Sequence, residues 1–226
     1  MWKRLIYSYL FLLTVLIGSL QASAQKEVRH YDFTEPLGPE WVCLSDPDSV
    51  FFKPEDNYLR VGTSLYRLYE DHVPNIVGFE RPDGGFSLSA RFFFPDCYNQ
   101  DNAGLVLFQS RRGYVALVMQ EGRGGMQLRM HYQFRGWHME KTVYTFDHHR
   151  SVYMRVSGDG EKYRFAYSPD GQQYVEADAI DCSLLTPAVS GLDGRAVMGF
   201  HGFQGSYKFM AGRNTFEVDD VEYQLY

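Results

Sequence analysis

Along Tyr163–Tyr174, YRFAYSPDGQQY, an aromatic ring falls at every second position before Ser-Pro-Asp-Gly interrupts the run. Period-two alternation predicts a strand with one buried face, and the Pro-Asp-Gly cluster predicts the turn that ends it. The same signature recurs along most of the chain. Ala103–Gln109 (AGLVLFQ) and Tyr114–Gln120 (YVALVMQ) read as two strands joined by the hairpin-length SRRG. In MQLRMHYQF, Leu128, Met130, Tyr132 and Phe134 alternate with Arg129, His131 and Gln133. Two further strands flank Gly158-Asp159-Gly160, and RAVMGFHGF and NTFEVDDVEYQLY supply the last two. Asn57–Gly62, Ile76–Glu80 and Phe86–Phe94 play the same part earlier in the chain. FRGWHME, with Trp137, and FDHHRS, with His148 and His149, read as loops. The best helical candidate, CSLLTPAV, is cut short by Pro187 and predicts one turn at most. Many short strands, turn signals between them and no fixed-period repeat predict an all-β fold, an antiparallel sandwich of jelly-roll type.

The first residues stand apart from this pattern. Lys3 and Arg4 precede the apolar run Leu10–Leu20, and Ala22-Ser23-Ala24 has the small-x-small form that signal peptidase cuts. The run is short for a bilayer span. Residues 1–24 are therefore expected to be a removable export signal, leaving residues 25–226 as one β domain of a secreted or periplasmic protein. The chain carries 22 basic and 28 acidic residues, a net charge of −6, and loss of Lys3 and Arg4 makes it more acidic still. Such a balance offers no basic stripe for nucleic acid. Cys43, Cys97 and Cys182 allow one disulfide with a leftover thiol, or buried thiols throughout, and the odd count points to the latter. Their wide spacing matches no zinc pattern.

Several segments, in order, carry a family resemblance: DFTEPLGPEW, AGLVLFQSRRGYVALVM, VYMRVSGDGEKYRFAYSPDGQQY and the closing FEVDDVEYQLY. They resemble the concanavalin A-like domain at the C-terminus of family 43 β-xylosidases, over about Tyr31 to Tyr226. The resemblance implies a concanavalin A-like jelly-roll sandwich of two curved antiparallel sheets, similar to legume lectins and many glucanases. In the two-domain xylosidases this sandwich leans on a five-bladed propeller that bears the catalytic carboxylates. Only the expected signal precedes Gln25 here, so no catalytic residue of that family is carried over, and the chain looks like the accessory half standing alone. The resemblance also implies that Tyr163, Phe165 and Tyr167 point inward while Arg164 and Ser168 face out.

Three sets of residues carry candidate chemistry. In EVDDVE, Glu217 and Asp219 share a strand face, as in the acidic strand of laminarinase-type glucanases, and form the candidate pair for glycoside hydrolysis. Strict alternation places Glu222 on the opposite face unless a bulge intervenes. Asp32, Asp219 and Asp220 are oxygen ligands that suit a structural calcium, the one cofactor candidate, with turn-capping aspartates as the alternative reading. The third set is polar and faces outward: Gln109, Gln120, Arg129, His131 and Gln133 on consecutive strands. Sugars need planar donors and acceptors for hydroxyls and a ring for their apolar face. Tyr114, Gln120, Arg129, His131, Trp137 and His201 are thus expected carbohydrate-binding residues, and the family resemblance adds Arg67, with Tyr66 beside it, as an arginine facing the concave sheet. The expected function is binding of a poly- or oligosaccharide without cleavage, alongside a separate glycoside hydrolase. A hydrolase using Glu217 and Asp219, and a structural or protein-docking sandwich, remain open as alternatives.

Overall fold

The computed structural model describes residues 27–44, 52–55, 57–65, 67–70, 75–97, 100–122, 124–146, 150–187, 196–205 and 214–226. Residues 1–24, Tyr66 and the His148–His149 pair lie outside the described residues. Within them the chain forms the strands β1 (Glu27–Tyr31), β2 (Trp41–Leu44), β3 (Phe52–Glu55), β4 (Tyr58–Gly62) and β5 (Ile76–Glu80). There follow β6 (Phe86–Phe93), β7 (Asn102–Ser110), β8 (Gly113–Gly122), β9 (Gly125–Phe134) and β10 (Trp137–Phe146). The last are β11 (Ser151–Gly158), β12 (Lys162–Ser168), β13 (Val175–Asp181), β14 (Val197–Phe203) and β15 (Thr215–Leu225). One turn of 3-10 helix, Cys182–Leu184, stands where the Pro187-limited segment is expected.

The strands form two antiparallel sheets. One has eight strands, ordered β13-β12-β11-β6-β15-β4-β3 with β1 also paired to β15, and the other has seven, ordered β10-β9-β8-β7-β14-β5-β2. Alternation decides which faces meet. In β6, Phe86, Leu88, Ala90 and Phe92 are buried, while Ser87, Ser89 and Arg91 between them are partly open. The inward residues of both sheets form one core, and aromatic rings bridge the gap between layers. Phe92 meets Phe200 edge-on at 5.6 Å, and Tyr223 stacks on Phe79 at 4.7 Å. Tyr163, Phe165 and Tyr167 are all buried in this core, so the aromatic row of β12 packs rather than presenting a platform. A smaller apolar cluster lies on the outer side of the seven-stranded sheet. There Leu68, with Tyr69 packed against it, covers Val106, Phe108, Tyr114, Ala116 and Val118, which is why β7 is buried on both faces.

The structure corrects or decides four expectations. Trp137 opens the edge strand β10 instead of lying on a loop, and β13 is a further edge strand without a clear alternating pattern. Ser168 is buried, not outward. Its hydroxyl donates to Asp170 at 2.9 Å and accepts from the Gly171 amide at 3.0 Å, closing the Ser-Pro-Asp-Gly turn. β15 slips register against β6 between Asp219 and Glu222, where Asp220 takes a φ of 47°. This bulge turns Glu222 to the same solvent-facing side as Glu217 and Asp219, while Phe216, Val218, Val221 and Tyr223 stay buried. Finally, none of the three cysteines forms a disulfide, and Cys43 is exposed while Cys97 is buried. Burial pushes the Cys97 thiol up to about 12, and its S–H donates to the Asp101 carbonyl at 3.4 Å.

Phe165 is 0% exposed at the centre of β12. Phe165→Ala is expected to lower unfolding stability by about 3–5 kcal/mol, through lost transfer energy and a residual cavity. Urea denaturation monitored by fluorescence measures it, and a loss below about 1 kcal/mol is what a solvent-facing ring, not a core ring, gives.

Candidate functional site

Across β14, β7, β8, β9 and β10 the register lines up side chains on the outer face of the seven-stranded sheet. One row runs His201–Gly104–Val118–Arg129–Thr142, and the next runs Gly199–Val106–Ala116–His131–Glu140. Phe203, Asn102 and Gln120 lie in the adjoining outward row. Small side chains thus make a floor on β7 and β8. Polar ones stand on β14 at one side and on β9 and β10 at the other. Gly104 is required in that floor, because a Cβ there runs into the Leu117 carbonyl oxygen. Arg67, Leu68 and Tyr69 complete the lining of a cavity of about 340 Å³. That volume lies within the roughly 300–1,000 Å³ typical of small-molecule sites.

Glu140 anchors the β9–β10 side. Its carboxylate pairs with the Arg129 guanidinium at 2.8 Å and with His138 Nε2 at 3.0 Å. The hydrogen bond from His138, helped by the positive charge of Arg129, holds the Glu140 carboxyl at about 2. The His138 ring packs against Tyr69 at 4.9 Å and edge-on to His131 at 6.0 Å. On the other wall Arg67 Nη1–H donates to the Tyr69 hydroxyl at 2.9 Å, and its guanidinium lies 5.1 Å over the Phe203 ring.

Two of the three groove histidines, His131 and His201, are neutral. Burial lowers His201 to about 4, and it lowers His131 to about 4 despite the nearby Glu140 charge. His201 is 2% exposed, with Nδ1 2.9 Å from the Asn75 carbonyl oxygen. A carbonyl only accepts, so Nδ1 carries the proton and Nε2 is left as an acceptor. His131 Nε2 and Arg129 Nε are shielded from solvent and have no hydrogen-bond partner among the described residues. A buried polar atom in that state costs about 1–3 kcal/mol, which a ligand hydroxyl or carboxylate would recover.

Six of the seven expected binding residues, Arg67, Tyr114, Gln120, Arg129, His131 and His201, line this one cavity. Trp137 does not: it is 77% exposed and alternates with His138 and Glu140, which do. Tyr114 is 2% exposed and packs against Phe108 at 6.3 Å, so its ring belongs to the floor. Tyr69, Asn102, His138, Glu140 and Phe203 join the lining without having been singled out in sequence. His138 and Glu140 are two residues apart, a spacing that gains meaning only once β10 is known to be a strand.

The acidic strand belongs to the opposite sheet. Asp219 is held in a two-pronged pair by Arg91, with Arg91 Nε to Asp219 Oδ1 at 2.6 Å, and Glu217 lies 3.8 Å from Arg60. Tyr153 donates to Asp220 at 2.8 Å. Asp32 accepts from the amide and hydroxyl of Thr34 at 3.1 and 2.8 Å, a turn-capping arrangement. Asp32 and Asp220 share a polar cleft with Asp170 and Glu222, whereas Asp219 is turned to Arg91. No group of three or more His, Cys, Asp or Glu among the described residues is arranged to hold a metal ion.

Comparison with solved structures places this architecture. A family 43 glycoside hydrolase from Bacillus licheniformis superimposes with a TM-score of 0.73 at 20% identity, over 86% of this chain and 39% of its own. A xylan beta-1,4-xylosidase from Bacillus halodurans gives 0.72 at 16% identity, over 88% and 39%. A functionally unknown protein from Saccharomyces cerevisiae gives 0.62 at 13% identity, and there the match covers 83% of this chain and 97% of the other. At such identities the likeness shows the fold, and this chain spans well under half the length of the two hydrolases. No curated protein matches it. Residues 30–218 match the family described as the beta xylosidase C-terminal concanavalin A-like domain, and the chain belongs to that family.

Proposed function

We propose that this sandwich is an exported saccharide-binding module that holds a poly- or oligosaccharide in the groove of the seven-stranded sheet without cleaving it, beside separate glycoside hydrolases. Residues 30–218 match the sandwich of the family 43 enzymes and not their catalytic propeller. The observation that carries the reading is the convergence of Arg129 and His131 on one cavity, each with a buried nitrogen, Nε and Nε2, unpartnered among the described residues. Gln120, Asn102 and His201 Nε2 add the mixed donors and acceptors that hydroxyls need. Retaining hydrolysis needs two carboxyls about 5–5.5 Å apart. Glu140 is the one carboxylate among the described residues of the groove, and it is bound by Arg129 and His138. Glu217 and Asp219, on the other sheet, are matched to arginines.

Affinity electrophoresis against xylan, arabinan, β-glucan and host glycans tests this reading. Retention by at least one is expected. Arg129→Met is expected to weaken it about tenfold or more, the cost of losing a charge-assisted hydrogen bond, and Glu217→Gln to leave it unchanged. Failure to bind any of the four sinks the proposal, and so does reducing-sugar release that Glu217→Gln abolishes.

The neutral histidines also predict acid sensitivity. His201 has a folded value of about 4 against an ordinary 6.5, so the unfolded chain takes up a proton between these values while the folded one does not. Its contribution to stability is therefore complete above pH ~6.5 and declines as pH falls toward ~4. His131 acts in the same window, and Glu140, at about 2, extends the loss below pH ~4.5. The urea midpoint is expected to fall steadily from pH 7 to 4.5, with a shallower slope in His201→Gln. A midpoint that stays level across that range contradicts buried neutral histidines.

A further inference from the structure

We propose that the saccharide held in this groove carries a uronic acid, whose carboxylate sits against the guanidinium of Arg67 and the Nε–H of Arg129. The inference rests on the saccharide reading above and adds the charge of the sugar. The arginine, histidine and carboxylate side chains that line the cavity are Arg67, Arg129, His131, His138, Glu140 and His201. Glu140 is shared between Arg129 and His138, which cancels the charge on Arg129. His131 and His201 stay neutral. Arg67 has no carboxylate partner among the described residues, and its polar contact there is the uncharged Tyr69 hydroxyl. Among the described residues, a chain with a net charge of −6 therefore keeps the Arg67 guanidinium without a compensating carboxylate in a partly enclosed cavity.

The donors point the same way. Arg129 Nε is a buried N–H without an acceptor, and Arg67 holds further N–H groups beyond the one given to Tyr69. A neutral hydroxyl would satisfy a donor and leave the charge. A carboxylate satisfies two donors and removes it, and its flat pair of oxygens matches the guanidinium fork. A phosphate, with its charge near −2, would overcompensate a single cation. The ring hydroxyls of the same sugar would then meet His201 Nε2, Gln120 and Asn102.

Calorimetry at pH 7 on matched oligosaccharides tests the assignment. One pair is a xylo-oligosaccharide with and without a glucuronic acid branch, and the other is an oligogalacturonide and its methyl ester. The acidic member is expected to bind about tenfold tighter, the difference between a charged and a neutral hydrogen-bonded contact. Arg67→Met is expected to abolish that ratio, and Arg67→Lys, which keeps the charge without the fork, to retain part of it. Equal affinities within both pairs, or a ratio that survives Arg67→Met, overturn the inference and leave saccharide binding standing. A sulfated oligosaccharide bound as tightly as the uronate also overturns it. If no member of either pair binds and the polysaccharides above also fail, saccharide binding itself is lost and this assignment with it.

Discussion

In the row His201–Gly104–Val118–Arg129, four adjacent strands each place one residue on the outer face of the sheet. Strand pairing with a period of two makes this an all-or-none arrangement: a slip of one residue sends every member of the row to the opposite face. Leu105, Leu117, Met130 and Phe200 prevent the slip, because they occupy the neighbouring row and are buried between the sheets. The groove and the core are thus two sides of one constraint. Burial of the apolar row fixes the register, and the register brings Arg129 and His201, which are far apart in sequence, to a common cavity.

How much of this was legible in the chain follows from which strands have a buried face. β6, β7, β8, β9, β11, β12 and β14 carry alternating or fully apolar patterns, and the sandwich could be read from them. β10 and β13 lie at sheet edges, and β10 has almost no buried side chain, so no alternation marks it. The edge position also explains the error at Trp137: the Arg135-Gly136 turn is real, with positive φ at both residues, but the chain resumes as a strand directly after it. Missing β10 hid Glu140. Arg129 and His131 stood out because their neighbours Leu128 and Met130 define a face. Tyr69 and Phe203 gave no such signal, since an aromatic residue reads equally as core, and only the covering segment of residues 67–70 reveals their place.

The electrostatics of the groove are set by differences in burial among groups that lie close together. His131 and His201 are deep enough that desolvation outweighs any attraction to a carboxylate, and they remain neutral. Glu140 sits toward the edge strand, where two donors reach it, and the balance tips the other way. An ionised carboxylate near the neutral rings of His131 and His201 is a hydrogen-bonding surface. Such a surface suits recognition of a hydroxylated ligand.

The acidic strand shows why spacing alone misleads about catalysis. The bulge at Asp219–Asp220 does what a hydrolytic arrangement would ask for, since it brings Glu217, Asp219 and Glu222 to one face. Each acid, however, meets its own partner: Arg60 on β4 for Glu217, Arg91 on β6 for Asp219, and for Glu222 both His30 on β1 and Gln224 on its own strand. Arg91 is raised well above its ordinary value by the bond to Asp219. A general acid must reach the leaving group to give it a proton, and the oxygens of Asp219 are already taken up by the Arg91 guanidinium. The bulge therefore serves the sheet: on one side of it Thr215–Val218 of β15 pair with β4, and on the other Val221–Leu225 pair with β1.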